Sequence, residues 1–299
     1  MSRPIYVERF VRAPMEALWN ATQRPEVHER WDLRFSEILY LPRANEKDPQ
    51  RFLYATRIGF GLRIAGEGES IGARDREGDR TSALRFWSDD AKSLIREGSG
   101  YWRYAPADGG IRFITLYDYE TRFGAAGRIA DLVFRPLLGW ATAWSFDRLR
   151  LWLERGIDPA VSLERSAIHW VARLALAFIW LFHGIVPKLG AAAGEIDLAA
   201  RTGVPASLAP AFVVAAAVFE IVLGVALVVV RDARPLLVLS GVLGIGLGVV
   251  TSVRVPDLVV APFQPITLGV AMAALAVIAV RADRELPHAA RCIRRPPIK

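Results

Sequence analysis

Between Ile168 and Val280 the chain is built almost wholly from Ala, Val, Leu, Ile and Gly. Few folds accept such a run. A helix that crosses lipid needs about 20 consecutive apolar residues, and four stretches qualify, at about 168–189, 211–230, 236–253 and 263–280. A soluble domain of buried helices would also be oily. Here, however, apolar side chains surround each helix instead of forming one stripe. Backbone groups in lipid must be satisfied within the helix itself, so the segment reads as an all-α four-helix transmembrane bundle. The residues before it are mixed and rich in charge. The expected division is a first domain at 1–160 and a membrane domain at 161–299 that ends in a basic tail.

The formal net charge is +7, yet no basic helix or strand with interleaved aromatics is present to follow a phosphate backbone, so nucleic acid is not an expected partner. The positive charge fringes the oily segments. One side carries Arg165, Arg231, Arg234, Arg281, Arg284, Arg291, Arg294, Arg295 and Lys299, and the other Lys188, Arg201 and Arg254. Retention of Lys and Arg on the cytoplasmic side predicts a multi-pass protein of the bacterial inner (plasma) membrane with both termini in the cytoplasm. The opening "MSRPIYVERFVRAP" has no continuous apolar core and does not read as a secretory signal. One cysteine, Cys292, excludes a disulfide within the chain and a Cys-x-x-Cys pair.

Charged groups inside the spans need an explanation, because one at mid-bilayer costs about 2.5–3.5 kcal/mol. Arg173 lies about one turn inside the first span and Glu220 near the centre of the second. These spans run antiparallel, and depths compared at about 1.5 Å per residue place Glu220 between Arg173 and His183. Either Arg173 and Glu220 meet in the bundle interior, or Glu220 is protonated, or a wet cavity reaches them; the groups then form a buried pin that fixes helix register or a polar site for a ligand head group or a proton. His183 has no second His or Cys at ligand spacing, so no metal is expected. It is a candidate to hydrogen-bond or to touch a quinone. Lys188 reads as an outer anchor or as a member of the same intramembrane polar site, and Pro187 as the end or kink of the helix. Ser240, Gly244, Gly248 and Ser252 lie four apart on one face. They predict close packing inside the bundle or a homo-oligomer contact.

The run Arg173, Trp180, Gly184, Pro187, Lys188 resembles the first helix of the DoxX-like membrane proteins. "RTGVP" (Arg201 to Pro205), "FEIVLG" (Phe219 to Gly224) and "APFQP" (Ala261 to Pro265) resemble the segments that follow in that family. The resemblance implies a small four-helix membrane domain, in some members linked to quinone-dependent oxidation or thiol-redox complexes. A quinone is therefore a possible cofactor. The lack of a cysteine pair argues against direct thiol chemistry.

In the first domain "IYVERFVRAP" reads as a strand, and "APMEALWNATQRPEVHERWD" as one or two short helices beginning at Pro14. Six strand-like runs follow ("SEILYLP", "RFLYATRIG", "LRIAGEGESIG", "TSALRFWSD", "SLIREGSGYWRYAP", "GIRFITLYDYETR"), parted by turn-rich pieces as in antiparallel hairpins. A long amphipathic segment at about 125–156 closes the domain, bent or divided by Pro136. Its apolar side includes Ile129, Val133, Leu137, Trp140, Trp144 and Trp152. Pro14, Leu18, Trp19, Pro25 and Trp31, with the closing "FDRLRLWLERG", resemble the START-like superfamily of polyketide cyclases and lipid-transfer proteins. That resemblance implies an α+β helix-grip fold enclosing an apolar cavity. Its expected lining is Trp19, Trp31, Tyr117, Tyr119, Ile129, Val133, Leu137, Trp140 and Trp144. Asp118 either polarises a ligand or faces solvent. His28 and Asp32, four apart near a helix end, read as an exposed polar pair. No nucleophile motif, phosphate loop or metal cluster is present in the sequence, so catalytic residues are not assignable. The expected role is to present a hydrophobic small-molecule site next to membrane lipid. A quinone-linked redox component and a structural tether are the alternatives.

Overall fold

The computed structural model describes residues 3–45, 48–59, 61–76, 78–262 and 264–296. Phe263, the expected start of the fourth span, and Lys299 of the tail lie outside the described residues. The chain forms two units, one of residues 1–162 with 287–299, the other of 163–286.

The first unit opens with β1 (Ile5–Val11), α1 (Met15–Gln23) and α2 (Pro25–Trp31). Then come β2 (Glu37–Tyr40), β3 (Arg51–Gly59), β4 (Leu62–Arg76), β5 (Asp79–Trp87), β6 (Ile95–Ala107) and β7 (Gly110–Thr121), and the long helix α3 (Gly124–Arg155). All seven strands form one antiparallel sheet in the order β1-β7-β6-β5-β4-β3-β2. The helix-grip class expected from the sequence is thus observed. Each predicted strand-like run became a strand, because alternation with period two and turn residues at the ends specify a meander locally. One face of the sheet packs on α3 through a fully buried aromatic core. Phe113 stacks on Phe146 at 4.2 Å between centroids, and the Trp31 indole N–H donates to the Ala21 carbonyl at 2.8 Å.

Two expectations for α3 are corrected. Pro136 does not divide it; the helix runs unbroken from Gly124 to Arg155. The apolar side of its first half does not line a cavity either. Ile129, Val133, Leu137 and Trp140 are exposed, the first of them at 69%. The face turned to the sheet is mixed: Phe134 and Leu138 pack on the core, and polar side chains between them meet polar partners on the sheet. The Tyr119 hydroxyl donates to Asp131 at 2.6 Å, Arg135 donates to Asp131 and Asp118, and the Tyr117 and Thr142 hydroxyls meet at 2.8 Å. Asp118 is thereby a half-exposed partner of Arg135. Of the other expected lining residues, Trp31, Tyr117, Tyr119 and Trp144 are buried core, and Trp19 is half-buried against Tyr104.

The tail belongs to the first unit and not, as expected, to the membrane domain. Glu8 and Ile293 exchange backbone hydrogen bonds at 2.9 and 3.0 Å, and the Cys292 thiol donates to the Ala143 carbonyl at 3.2 Å. Asp147, fully buried, collects Arg9, Arg150 and Arg291 together with the His288 backbone N–H. Three guanidinium groups and a backbone N–H around one buried carboxylate hold the returning segment in place.

The second unit contains most of α4 (Pro159–Ile185), then α5 (Ala192–Arg201), α6 (Ala209–Val229), α7 (Arg234–Arg254) and α8 (Pro265–Ala282). The α4 segment, α6, α7 and α8 are long and apolar enough to span a membrane, and only 28–33% of an apolar 18-residue stretch in each is buried. Side chains such as Phe178, Val222 and Val242 point outward. Apolar surface on that scale around each helix needs lipid as its solvent. The stripe of small residues on α7 packs inside the bundle against α8. A Cβ on Gly244 would lie 2.9 Å from the Met272 Cβ, and one on Gly269 would lie 2.4 Å from the Gly244 carbonyl oxygen. Ser240 accepts from the Trp180 indole at 3.0 Å, and Ser252 donates back to the Gly248 carbonyl. Of the two readings for this stripe, packing inside the bundle is the one seen within the chain.

Candidate functional site

In the first unit the register puts Tyr119, Gly98, Phe86, Gly68 and Phe52 in one row across the sheet, on the face that packs against α3. The glycines let neighbouring rings lie flat on the backbone. A Cβ on Gly66, Gly68 or Gly98 would meet the ring of Tyr54, Phe52 or Phe86 at 2.3–2.4 Å. Beyond α3 this leaves a half-buried aromatic floor. Ring contacts lead inward from it, from Phe52 to Tyr54 at 6.4 Å, Tyr54 to Phe35 at 5.6 Å, Phe35 to His28 at 5.2 Å and His28 to Trp102 at 4.9 Å.

The path ends at charged groups. His28 and Asp32 are buried, at 9% and 1% exposure, which overturns the expectation of an exposed pair. The α2 helix turns them inward together at i, i+4, and Trp31, Phe35 and Trp102 ring the imidazole. One Asp32 oxygen meets His28 Nε2 at 3.0 Å and Arg34 Nη2 at 2.6 Å; the other accepts from Arg34 Nε at 2.9 Å. Burial favours protonation of Asp32, but the Arg34 charge, with the His28 and Arg34 hydrogen bonds, outweighs it and holds the carboxyl well below its ordinary range. Burial lowers the His28 pKa below its usual 6.5, although Asp32 pulls the other way. The trio is therefore neutral imidazole, carboxylate and guanidinium. The Arg34 charge also lies 5.5 Å from the centre of the Tyr117 ring. A groove of about 420 Å³ at β2–β4 is lined by Leu39, Leu53 and Glu67 of the opposite face of the sheet together with Tyr54, Gly66 and Asp90.

In the second unit Gly184 and Gly224 bring α4 and α6 together. Their Cβ positions lie 2.9 and 3.0 Å from the carbonyl oxygens of Ala217 and Ala177. This crossing brings Glu220 to Lys188 at 3.1 Å, and Lys188 reaches Glu195 of α5 at 3.3 Å. Pro187 sits in a π-helical turn, Val186–Gly190, that ends α4 and turns Lys188 back. The second Glu220 carboxylate oxygen is buried without a hydrogen-bond partner. Arg173 does not pair with Glu220. It donates to the carbonyls of Leu227 and Val230, at the C-terminal end of α6, and lies over the Trp170 ring. A helix end with open carbonyls and a negative dipole attracts a cation as well as a carboxylate does. His183 is half-buried next to Phe182. His169, which periodicity did not single out, bonds the Ala279 carbonyl near the end of α8 at 2.9 Å. Its place within an apolar span was the available signal.

Fold and composition together define a multi-pass membrane protein that couples a helix-grip unit to a four-span bundle. Residues 177–277 match the DoxX-like family. The Uncharacterized membrane protein YndG of Bacillus subtilis (strain 168) is 46% identical over 185 residues, 61% of this chain and 69% of that protein. The chain belongs to the same family as that membrane protein. Solved structures similar to the N-terminal half include the di-domain ARO/CYC StfQ of the steffimycin biosynthetic pathway, at 12% identity and a TM-score of 0.41 over 51% of this chain and 52% of that one. A STAR-related lipid transfer protein fragment from Xanthomonas axonopodis is 12% identical with a TM-score of 0.38, over 50% and 85%.

Proposed function

We propose that the first unit binds an amphipathic, ring-bearing small molecule at the membrane. Its flat apolar part lies on Phe52, Tyr54 and Phe86, and its polar group meets His28 and Arg34. The ring path from an open floor to a buried His28–Asp32–Arg34 trio carries this reading. Burying charge is expensive, and ionisable groups perturbed by burial and a specific charge partner cluster at functional sites. Titration of the full-length protein in nanodiscs with a fluorescent naphthalene sulfonate, followed by energy transfer from tryptophan, tests it. Phe86→Ala and Arg34→Gln should each weaken binding by about tenfold, the worth of about 1.4 kcal/mol. Unchanged titrations in both variants would overturn the reading.

The unpartnered Glu220 oxygen favours a second reading, in which the bundle accepts the hydroxyl of a quinol at the Lys188–Glu220 pair. Stabilisation by added quinol that Glu220→Gln abolishes would support it. In the orientation we propose, both termini lie on the cytoplasmic side of a bacterial plasma membrane. The docking of residues 287–296 on the first unit supports an even number of crossings. A periplasm-dependent reporter fused after Lys299 should stay silent.

A further inference from the structure

The first half of α3 carries an apolar ridge that the helix-grip core does not use. Ile129, Leu132, Val133, Leu137 and Trp140 are 46–75% exposed. From Ile129 to Trp140 they recur three or four residues apart, so they form one stripe about 17 Å long. It lies opposite the face that holds Asp131, Arg135 and Thr142 against the sheet. Apolar patches of this kind on a water-soluble surface mark a docking surface.

Three features choose the occupant. The same chain enters its membrane spans after Ser162 and rejoins this unit at Pro287, so a lipid surface is held close at high effective concentration. The ridge is rimmed by positive charge. Arg128 is exposed beside it, and Arg294 of the tail donates to the Pro136 carbonyl at 3.2 Å, next to exposed Ile293. Trp140 stands at one end, and indole rings settle at the boundary of headgroups and acyl chains. An apolar face with an aromatic end and an arginine rim is the pattern of a helix lying in a membrane interface. A protein partner would be served by the apolar stripe alone; the arginine rim answers anionic headgroups.

We infer that the first half of α3 is a membrane-contact surface, with Ile129, Val133, Leu137 and Trp140 set into the headgroup–acyl boundary and Arg128 and Arg294 over anionic headgroups. This inference does not depend on any ligand on the concave face. The test uses the full chain with Cys292→Ser, spin-labelled at Val133→Cys or Leu137→Cys, with Arg57→Cys on β3 as an exposed control. The protein is placed in nanodiscs of phosphatidylcholine and phosphatidylglycerol. Collisions with oxygen, which concentrates in lipid, are compared with those of a water-soluble nickel chelate. Oxygen is expected to relax the labels at 133 and 137 several-fold more than nickel, with the reverse at 57. Strong nickel relaxation at 133 and 137 would show a ridge in water and overturn the inference. Protection from both reagents would show a ridge covered by protein, from this chain or a second copy, and would overturn it equally.

Discussion

Asp147→Asn should free the tail from the first unit, and Cys292 reports it. The Asp147 carboxylate is fully buried and holds Arg9 at 3.1 Å, Arg150 at 2.7 Å and Arg291 at 3.2 Å, with the His288 N–H at 2.9 Å. Two of these four partners belong to the tail. Removing one member of a buried ion pair costs about 3–5 kcal/mol, because the partner charges stay buried. At about 1.4 kcal/mol per factor of ten, that cost raises the open population of the tail by about two to three and a half orders of magnitude if it falls on the latch. Cys292 is the one cysteine in the chain. Burial, and then the Asp147 charge, push its thiol up to about 12 from the usual 9.0. At about pH 8 the thiolate fraction is then of order 10⁻⁴ when the tail is docked and of order 10⁻¹ when it is free, and the thiolate is the reactive form. Maleimide labelling of the full-length protein in detergent should therefore run about two to three and a half orders of magnitude faster in Asp147→Asn. Arg291→Ala should give a smaller gain, since Arg9 and Arg150 still neutralise the carboxylate. Labelling of Asp147→Asn at the wild-type rate, with the fold intact by circular dichroism, would refute the argument; the backbone bridge of Glu8 to Ile293 would then hold the tail unaided.

Acid should loosen the first unit in two windows. The His28 pKa is lowered in the folded state, so the unfolded chain binds the extra proton first; stability is complete above the usual 6.5 and falls as pH drops below it. Asp32 is also lowered, and its contribution is lost as pH falls below 3.8. His28→Gln should remove the upper window and leave the lower one, as read by tryptophan fluorescence during thermal unfolding; an unchanged upper window would sink the assignment. In the bundle, a double-mutant cycle of Lys188→Met and Glu220→Ala should show coupling of about 0.5–3 kcal/mol, whereas Arg173→Met and Glu220→Ala should add independently. Strong coupling in the second cycle would reinstate the pair that depth arithmetic alone suggests.

The elements were legible because their signals are local. Strand alternation from Ser36 to Arg122 and four apolar spans each depend on neighbours within a few residues. The site was less legible. The spacing of His28 and Asp32 showed that they share a helix face, but whether Trp31, Phe35 and Trp102 cover that face depends on strands far along the chain. Depth counted along each span placed Glu220 between Arg173 and His183, but the helix crossing sets Glu220 level with Gly184, roughly 16 Å along the helix from Arg173. The glycine crossing at Gly184 and Gly224 turned Glu220 to Lys188 and left Arg173 with the carbonyls at the end of α6.

By itself the sequence determined which segments take lipid as solvent and which form antiparallel hairpins followed by a long helix, because transfer from water and backbone periodicity act residue by residue; that the sheet grips the helix was implied by the family resemblance. Only the tertiary structure decided which polar groups meet, that the tail returns to Asp147, and that the apolar side of α3 looks outward. Those outcomes depend on which surfaces cover one another, and a buried charge settles on whichever donor or acceptor the packing brings within reach.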